Sequence, residues 1–455
     1  MVKYHFELDG QVYTLESRTT LPLIYNVIRP DKTMVIVQDT VVYKVLNDYS
    51  RLVGHVKSLY ESFLDEVYPE LKGRVDIIVA PGIGNFKNSV LENGNIRVLE
   101  FKFKGLLQDF YSYMLAEISK RIIELCSEHS SEGIELHLDL THGINYMPTL
   151  TYRAVREIAN ILSWGREVTL KVYNSEPYVQ GVKDYNIHVV EDSKILPVAY
   201  TKAIDGPRIK PLKILTTRRG GVEGLFREVG EIVGKVNVRE LNAFIGSVAN
   251  GLPLTLYTLY PDIKTLREVI DETLSLYRRY TILTPISDDN VVVEHKVAFR
   301  EHFNILVGVW ALASILEGYI SRKNIISLRD VKRVTKHILG RNEKLRSMIS
   351  RDIHELEGKI VSYKSAMGGV FDWSPLYTLF THEYGKTVNE LERECSLNEL
   401  RRVRDKFRRN FLAHSGFEKC VTMVKCENGK VYFKYREDTL DLILDAASRG
   451  LLKIP

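Results

Sequence analysis

Near the C-terminal end of the chain, the run RRVRDKFRRNFLAHSG (residues 401–416) sets Arg409 and His414 five residues apart, with Asn410 between them. A guanidinium that stays charged and an imidazole that titrates near neutrality are the groups that metal-free phosphodiester cleavage calls for. On RNA the 2′-hydroxyl would attack the adjacent phosphate, leaving a 2′,3′-cyclic phosphate and a 5′-hydroxyl. His414 would serve as general base or acid, and Arg409 would hold the charge building on the phosphate oxygens. Asn410 would orient the histidine or a phosphate oxygen. The plain alternative is a helix-end histidine satisfied by a carbonyl, because Arg-x4-His recurs by chance in many helices. The six basic residues between positions 401 and 409, against the single acid Asp405, fit either a solvated helix face or a phosphate-steering surface.

Helical geometry adds a constraint. Asn410 and His414, four apart, share a face. Arg409 and His414, five apart, diverge by about 140° around the axis. One straight helix does not aim both at one phosphate, so the spacing suits a composite site in which two facing copies complete each other.

A second cluster lies some way upstream, in Asp139-Leu-Thr-His-Gly-Ile-Asn-Tyr-Met-Pro148. Asp139 ends a strand-like run, Thr141 suits a helix cap, Gly143 permits close backbone approach, and Pro148 fits a first helical turn. A well-made turn explains those four residues but requires neither His142 nor Asn145. Their side chains suit phosphate, ribose or base edges. By contrast, Gly82-Ile-Gly84-Asn85-Phe86-Lys87 only superficially resembles a dinucleotide fingerprint. Lys87 replaces the third glycine, and turn-like residues including Asn93-Gly94 come where a helix should begin. Those glycines still allow a backbone to approach another phosphate-bearing ligand.

The elements that must position these residues fall into two regimes. The first two hundred residues alternate strand and helix signals. A hairpin turns at Asp9-Gly10, a helix-like stretch covers 21–28, and apolar strands fall at 34–37, 76–80, 135–139 and 168–173. Helical stretches cover 105–128 and 147–162. This alternation argues for an open parallel sheet. Each strand runs into a polar or glycine-rich loop: Gln38-Asp39-Thr40, Gly82 to Asn85, Thr141 to Asn145, and Asn174-Ser175. Ligands of such sheets bind beyond the carboxyl ends of the strands, although ordinary strand-to-helix connections also need glycines and caps. After Asp205-Gly206-Pro207 the chain reads as helical over 223–248, 263–283, 295–317, 328–359 and 388–413. A hairpin with an Asn428-Gly429 turn and a helix at 439–448 come last. The plan is an α/β domain over 1–205, a helical connector over 206–290 and a helical domain with a small β-hairpin over 291–455.

Composition excludes little beyond membrane and disulfide-framework classes. The 455 residues are 45% apolar and 27% charged, with a mild net charge of +5, which describes a globular chain of two or three domains. The apolar run 305–316 is shorter than the ~20 residues a bilayer needs and reads as a buried helix. The polar start resembles no signal peptide. Cys126, Cys395, Cys420 and Cys426 show no zinc spacing and no disulfide framework. Cys420 and Cys426 on one strand would stand roughly 20 Å apart. A reduced, cytoplasmic protein is expected.

Together, LDLTHGINYMP and RNFLAHSG resemble the CRISPR-associated ribonucleases that join a CARF sensor domain to a HEPN effector domain, particularly the archaeal type accompanying type III CRISPR systems. The resemblance covers both domains in order. It implies a Rossmann-like CARF sheet that binds a cyclic oligoadenylate, commonly cyclic tetra-adenylate, across a homodimer interface. Binding would switch on a metal-independent HEPN endoribonuclease acting on single-stranded RNA in antiviral defence. No cofactor is implied beyond that activator. By position, Thr141, His142, Gly143 and Asn145 would belong to the ligand site. Gly82, Gly84 and Asn85, with Gln38, Asp39 and Thr40, would line it. Arg409, Asn410 and His414 match the catalytic motif. Chains of this family usually open with a buried strand whose loop contributes to the ligand site. Here Met1 leads straight into the hairpin expected after it, so either the start lies upstream or the sheet is built differently. Two other classes stay open: a ligand-responsive regulator binding DNA through the helices of 223–283, and a toxin-like nuclease whose sensor neutralises it or cleaves its own ligand.

Overall fold

The computed structural model describes every residue except 93, 130–132, 216–221, 223, 368, 382–384 and 455. Its N-terminal region opens with the expected hairpin, β1 (Val2–Leu8) and β2 (Gln11–Ser17). Asp9 and Gly10 take φ values of 51° and 78°, the paired left-handed geometry of a two-residue hairpin turn. Next come α1 (Leu21–Ile28), β3 (Thr33–Gln38), α2 (Tyr49–Val67) and β4 (Val75–Ala80). A long hairpin of β5 (Gly84–Glu92) and β6 (Asn95–Lys104) precedes α3 (Leu107–Glu128), β7 (Gly133–Asp139), α4 (Tyr146–Leu162), β8 (Glu167–Ser175) and β9 (Asp184–Ile195).

The α/β expectation holds, but the sheet is not wholly parallel. One sheet runs β2-β1-β9-β8-β7, parallel at β7–β8 and β1–β9 and antiparallel at β8–β9. β3 and β4 form a separate parallel pair. Among the described residues β3 ladders only with β4, and β7 only with β8. Apolar periodicity identifies strands but does not say which of them are neighbours.

Two short strands, β10 (Lys202–Ile204) and β11 (Leu212–Ile214), lead into the helical region. The expected helix from Glu223 begins outside the described residues. Beyond that point the chain forms two helices, α5 (Leu225–Val233) and α6 (Val238–Asn250), split where the Asn237 side chain accepts from Arg239 N and Glu240 N. After α7 (Pro253–Thr258), α8 (Ile263–Arg279) stops short of the expected residue 283. The β-branched run there forms β12 (Thr281–Pro285), antiparallel to β13 (Asn290–His295). β13 in turn pairs in parallel with β6, so chain beyond residue 290 completes a sheet begun in the N-terminal region.

His295 therefore ends a strand instead of starting a helix. β14 (Val297–Phe299) intervenes before α9 (Glu301–Leu316), which is buried almost throughout, as its apolar run predicts. Then come β15 (Ile326–Ser327), α10 (Leu328–His337) and α11 (Glu343–Ala366). Asn342 caps α11 and breaks the single helix expected over 328–359. After β16 (Phe371–Pro375), the stretch 388–413 forms three helices, α12 (Val388–Glu394), α13 (Leu397–Arg402) and α14 (Arg404–Ala413). β17 (Thr422–Glu427) and β18 (Lys430–Tyr435) make the predicted hairpin, with Asn428 and Gly429 at φ 51° and 75°. α15 (Leu440–Ala447) and β19 (Leu452–Ile454) close the described chain.

The cysteine expectation needs correction. Cys395 and Cys420 form a disulfide, 25 residues apart in sequence with Cα atoms at 4.9 Å. Tertiary packing creates that proximity, so spacing gives no hint of it. Cys126 and Cys426 are free thiols. Among the described residues, no helix is long and apolar enough to cross a membrane.

One continuous core joins the two regions. Buried residues of α4 recur at Met147, Thr151, Ala154, Val155, Ile158, Ala159 and Leu162, a helical stripe packed on α3 and α9. Where α4 ends, Gly165 lies against α9 so closely that a β-carbon would stand 2.9 Å from the Ile315 carbonyl oxygen. Trp164, fully buried beside it, donates to Val198 O at 3.2 Å.

Candidate functional sites

The strand-end loops of the N-terminal region form a connected polar cluster. Gln38, Asp39 and Thr40 leave β3 buried, at 3%, 0% and 1% exposure, which is unusual for three consecutive polar residues. Asp39 accounts for much of this. Its Oδ1 accepts from Gly82 N at 2.7 Å and its Oδ2 from the Tyr49 hydroxyl at 2.8 Å. Burial pushes the carboxyl up to about 7 in spite of those two donors. Gly82 is sterically required, since a β-carbon there would fall 2.3 Å from Thr40 Cγ2 and 2.9 Å from Asp39 Oδ1. Gly84 and the exposed Asn85 begin β5 just beyond it.

The other half of the cluster hangs from β7. Asp139 Oδ1 accepts from Thr141 N at 2.9 Å, and its Oδ2 accepts from the Thr20 hydroxyl at the start of α1. Thr141 does not cap α4 as expected. Its hydroxyl instead accepts from Ser175 N at 3.0 Å, tying the loop to the end of β8. The residue at the N-cap position is Asn145, at φ 44° and without a side-chain cap bond, so its amide is left exposed to solvent. His142 is exposed as a residue, but its Nε2 faces Thr20 N at 3.4 Å. Desolvation of that inner ring edge lowers the imidazole pKa, against the Asp139 carboxylate, which raises it. Gly143 is exposed between them.

A residue that sequence reading missed joins the halves. The Tyr146 hydroxyl accepts from Gln38 Nε2 at 2.7 Å and from Ile83 N at 3.2 Å. It thereby connects the first turn of α4 to both loops of the β3–β4 pair. Its position directly after Asn145 was the available signal.

The C-terminal cluster is built differently. α14 buries Phe407 and Phe411, and Phe411 packs against Tyr435 of β18 with ring centroids 6.1 Å apart. Half of the basic run is paired: Arg402 with Glu399, and Arg404 and Arg408 with Asp445 of α15. Arg409 is exposed, and among the described residues it has no carboxylate partner. Asn410 is half-buried and His414 exposed. His414 caps the helix, its N–H donating to Asn410 O at 3.1 Å.

The turn after His414 is a Schellman motif, with Ser415 N donating to Leu412 O at 3.3 Å and Gly416 N to Phe411 O at 2.9 Å. Ser415 and Gly416 have φ values of 49° and 84°. Two further anchors hold it. The Ser415 hydroxyl donates to Asp352 Oδ2 of α11 at 2.6 Å, and the Tyr435 hydroxyl donates to Gly416 O at 3.0 Å. Tyr435 also lies 2.8 Å from the hydroxyl of Thr255 on α7. The arrangement offers an exposed guanidinium and an exposed imidazole at the end of a fixed helix.

Comparison with known proteins fits this division. Residues 1–177 match the family model described as CRISPR system endoribonuclease Csx1, CARF domain, and residues 342–437 match that of the Csx1 HEPN domain. Among curated relatives, the CRISPR system endoribonuclease Csx1 of Methanocaldococcus jannaschii is 32% identical over 438 residues, spanning 91% of this chain and 83% of that protein.

Proposed function

The chain belongs to the Csx1 family of CRISPR system endoribonucleases, a CARF domain followed by a HEPN domain, and from that premise we propose how it works. A cyclic oligoadenylate, with cyclic tetra-adenylate the preferred ring, binds at the strand-end loops and activates metal-independent cleavage of single-stranded RNA. In this reading residues 1–205 sense, 206–290 connect and 291–455 cut, and the working unit is a homodimer or a higher assembly of it.

The observation that carries the reading is the pair Arg409 and His414. They stand exposed at the end of an anchored helix inside the HEPN match, with three of the surrounding arginines already neutralised. A second copy facing that surface supplies the geometry that one helix cannot. Arg409 holds the scissile phosphate, His414 moves the proton of the 2′-hydroxyl or of the leaving oxygen, and Asn410 orients one or the other. At the sensor, buried Gln38, Asp39 and Thr40 with Gly82 form a rigid floor, and Gly84, Asn85, Thr141, His142, Gly143 and Asn145 surround the ligand.

The test is labelled single-stranded RNA incubated in EDTA with cyclic tri-, tetra- or hexa-adenylate. Cleavage that depends on one ring size and leaves cyclic-phosphate ends supports the proposal. Activity indifferent to all three would remove the sensing step.

A further inference from the structure

Ser415 stands at the C′ position of the Schellman turn, the place where glycine is the usual occupant because other residues meet steric strain at positive φ. Serine is nevertheless present, and its side chain is completely buried. Its hydroxyl donates to Asp352 Oδ2 at 2.6 Å, across 63 residues of sequence. Asp352 is itself unusual. Its side chain is only 8% exposed, and the cation near it, Arg351, lies at 3.8 Å and is 75% exposed. A nearly buried carboxylate is unfavourable unless it is well hydrogen-bonded. Two unfavourable features, a strained serine and a buried acid, thus meet in one hydrogen bond beside His414.

We propose that Asp352 is a positioning residue for cleavage, acting through Ser415 to fix the turn that carries His414. The inference rests on His414 being the acid–base group. The physical need is geometric. A general base must reach its proton within roughly 3 Å, and a misplacement of about 1 Å lowers rates on the order of a hundredfold. His414 is exposed and has its backbone held by its own turn, through Asn410 O and Phe417 N. Tyr435 fixes the turn at Gly416, leaving Asp352 as the anchor adjacent to His414. The bond also joins α11 to the end of α14, so a shift of either helix moves the imidazole.

The informative variant is Ser415→Gly, which relieves the positive-φ strain while deleting the tether. Activated cleavage by the full-length protein is compared for wild type, Ser415→Gly, Asp352→Ala, the double variant, Asp352→Asn and His414→Ala, with thermal melts for each. The expected result is a kcat about tenfold or more lower for Ser415→Gly and for Asp352→Ala, with KM within about twofold. The melting temperature of Ser415→Gly should change little, the relieved strain offsetting the hydrogen bond lost at Asp352. The double variant should be no slower than Asp352→Ala, since both remove one interaction. Asp352→Asn keeps an acceptor and should recover most of kcat. Wild-type kcat in Ser415→Gly beside a dead His414→Ala overturns the inference alone. An active His414→Ala overturns the catalytic reading and the inference with it.

Discussion

The two functional clusters differ in how completely one chain builds them. At the N-terminal loops, Gln38, Asp39, Thr40 and Gly82 are buried, with Asp39 holding Gly82 N and Thr40 bonded to Gln38, so one chain orders this cluster by itself. At the end of α14, Arg409 and His414 face outward, and the bonds there belong to the turn behind them. A sensor benefits from being preorganised, because ordering a site on binding reduces affinity. Under the proposed function, a nuclease that must stay silent would benefit from being incomplete until a second copy arrives. The contrast is between a buried, internally bonded cluster and an exposed pair held only from behind.

The largest effect should come from removing the exposed half. His414→Ala or Arg409→Ala should lower cleavage by about a thousandfold while activator binding, read by calorimetry, stays within twofold. Substantial cleavage by either variant in EDTA would contradict the contrast at its catalytic end.

The buried half is probed through Asp39. Its carboxyl is raised to about 7 in the folded protein, above its ordinary 3.8. The unfolded chain therefore loses that proton first as pH rises, and the stability held below pH 4 is lost progressively up to about pH 7. Glu418, raised to about 7 by burial in the HEPN region, contributes in the same direction. The difference between Asp39→Asn and wild type isolates the sensor. The variant should gain on the order of 1–4 kcal/mol relative to wild type between pH 4 and 7, measured by denaturant melts. A pH-independent difference would mean that Asp39 is solvated after all.

The disulfide offers a smaller perturbation confined to the other region. Replacing Cys395 and Cys420 by serine opens a loop of 25 residues and should destabilise by about 3 kcal/mol. Activator affinity should not change. Smaller still is Tyr146→Phe, which deletes the acceptor for Gln38 and Ile83 and should weaken activator binding roughly three- to tenfold. An equal loss of RNA affinity without activator would show that the two clusters are not separable.

Much of the plan was legible because it rests on local chemistry. Asp9-Gly10 and Asn428-Gly429 can reach the left-handed region that hairpin turns need, and both do so. The helix breaks were legible too, though read through. Asn237 and Asn342 are N-caps inside stretches read as single helices, whereas the capping box of Thr387 and Glu390 lies at the expected start of the 388–413 stretch. Periodicity cannot carry adjacency between distant residues. The Cys395–Cys420 bridge, the Ser415–Asp352 bond and the pairing of β13 with β6 depend on tertiary packing. The candidate site residues are polar and glycine types at strand ends and a helix end, which local sequence can show. Thr141 bonds Ser175 where a helix cap was expected, because α4 begins only at Tyr146, four residues beyond its reach as a cap.

The division of strands into a β3–β4 pair and a β7-edged sheet has a mechanical meaning. The loops of residues 38–40 and 82–85 ride on one ladder and those of 141–145 on the other, bridged at the rim by the Tyr146 hydroxyl. The spacing between the two loop sets is thus spanned by a side chain at the head of α4, and among the described residues no strand ladder joins β3 or β4 to β7. Under the proposed sensing role, a ligand that moved the two loop sets apart would break these two hydrogen bonds and load α4, whose far end lies against α9.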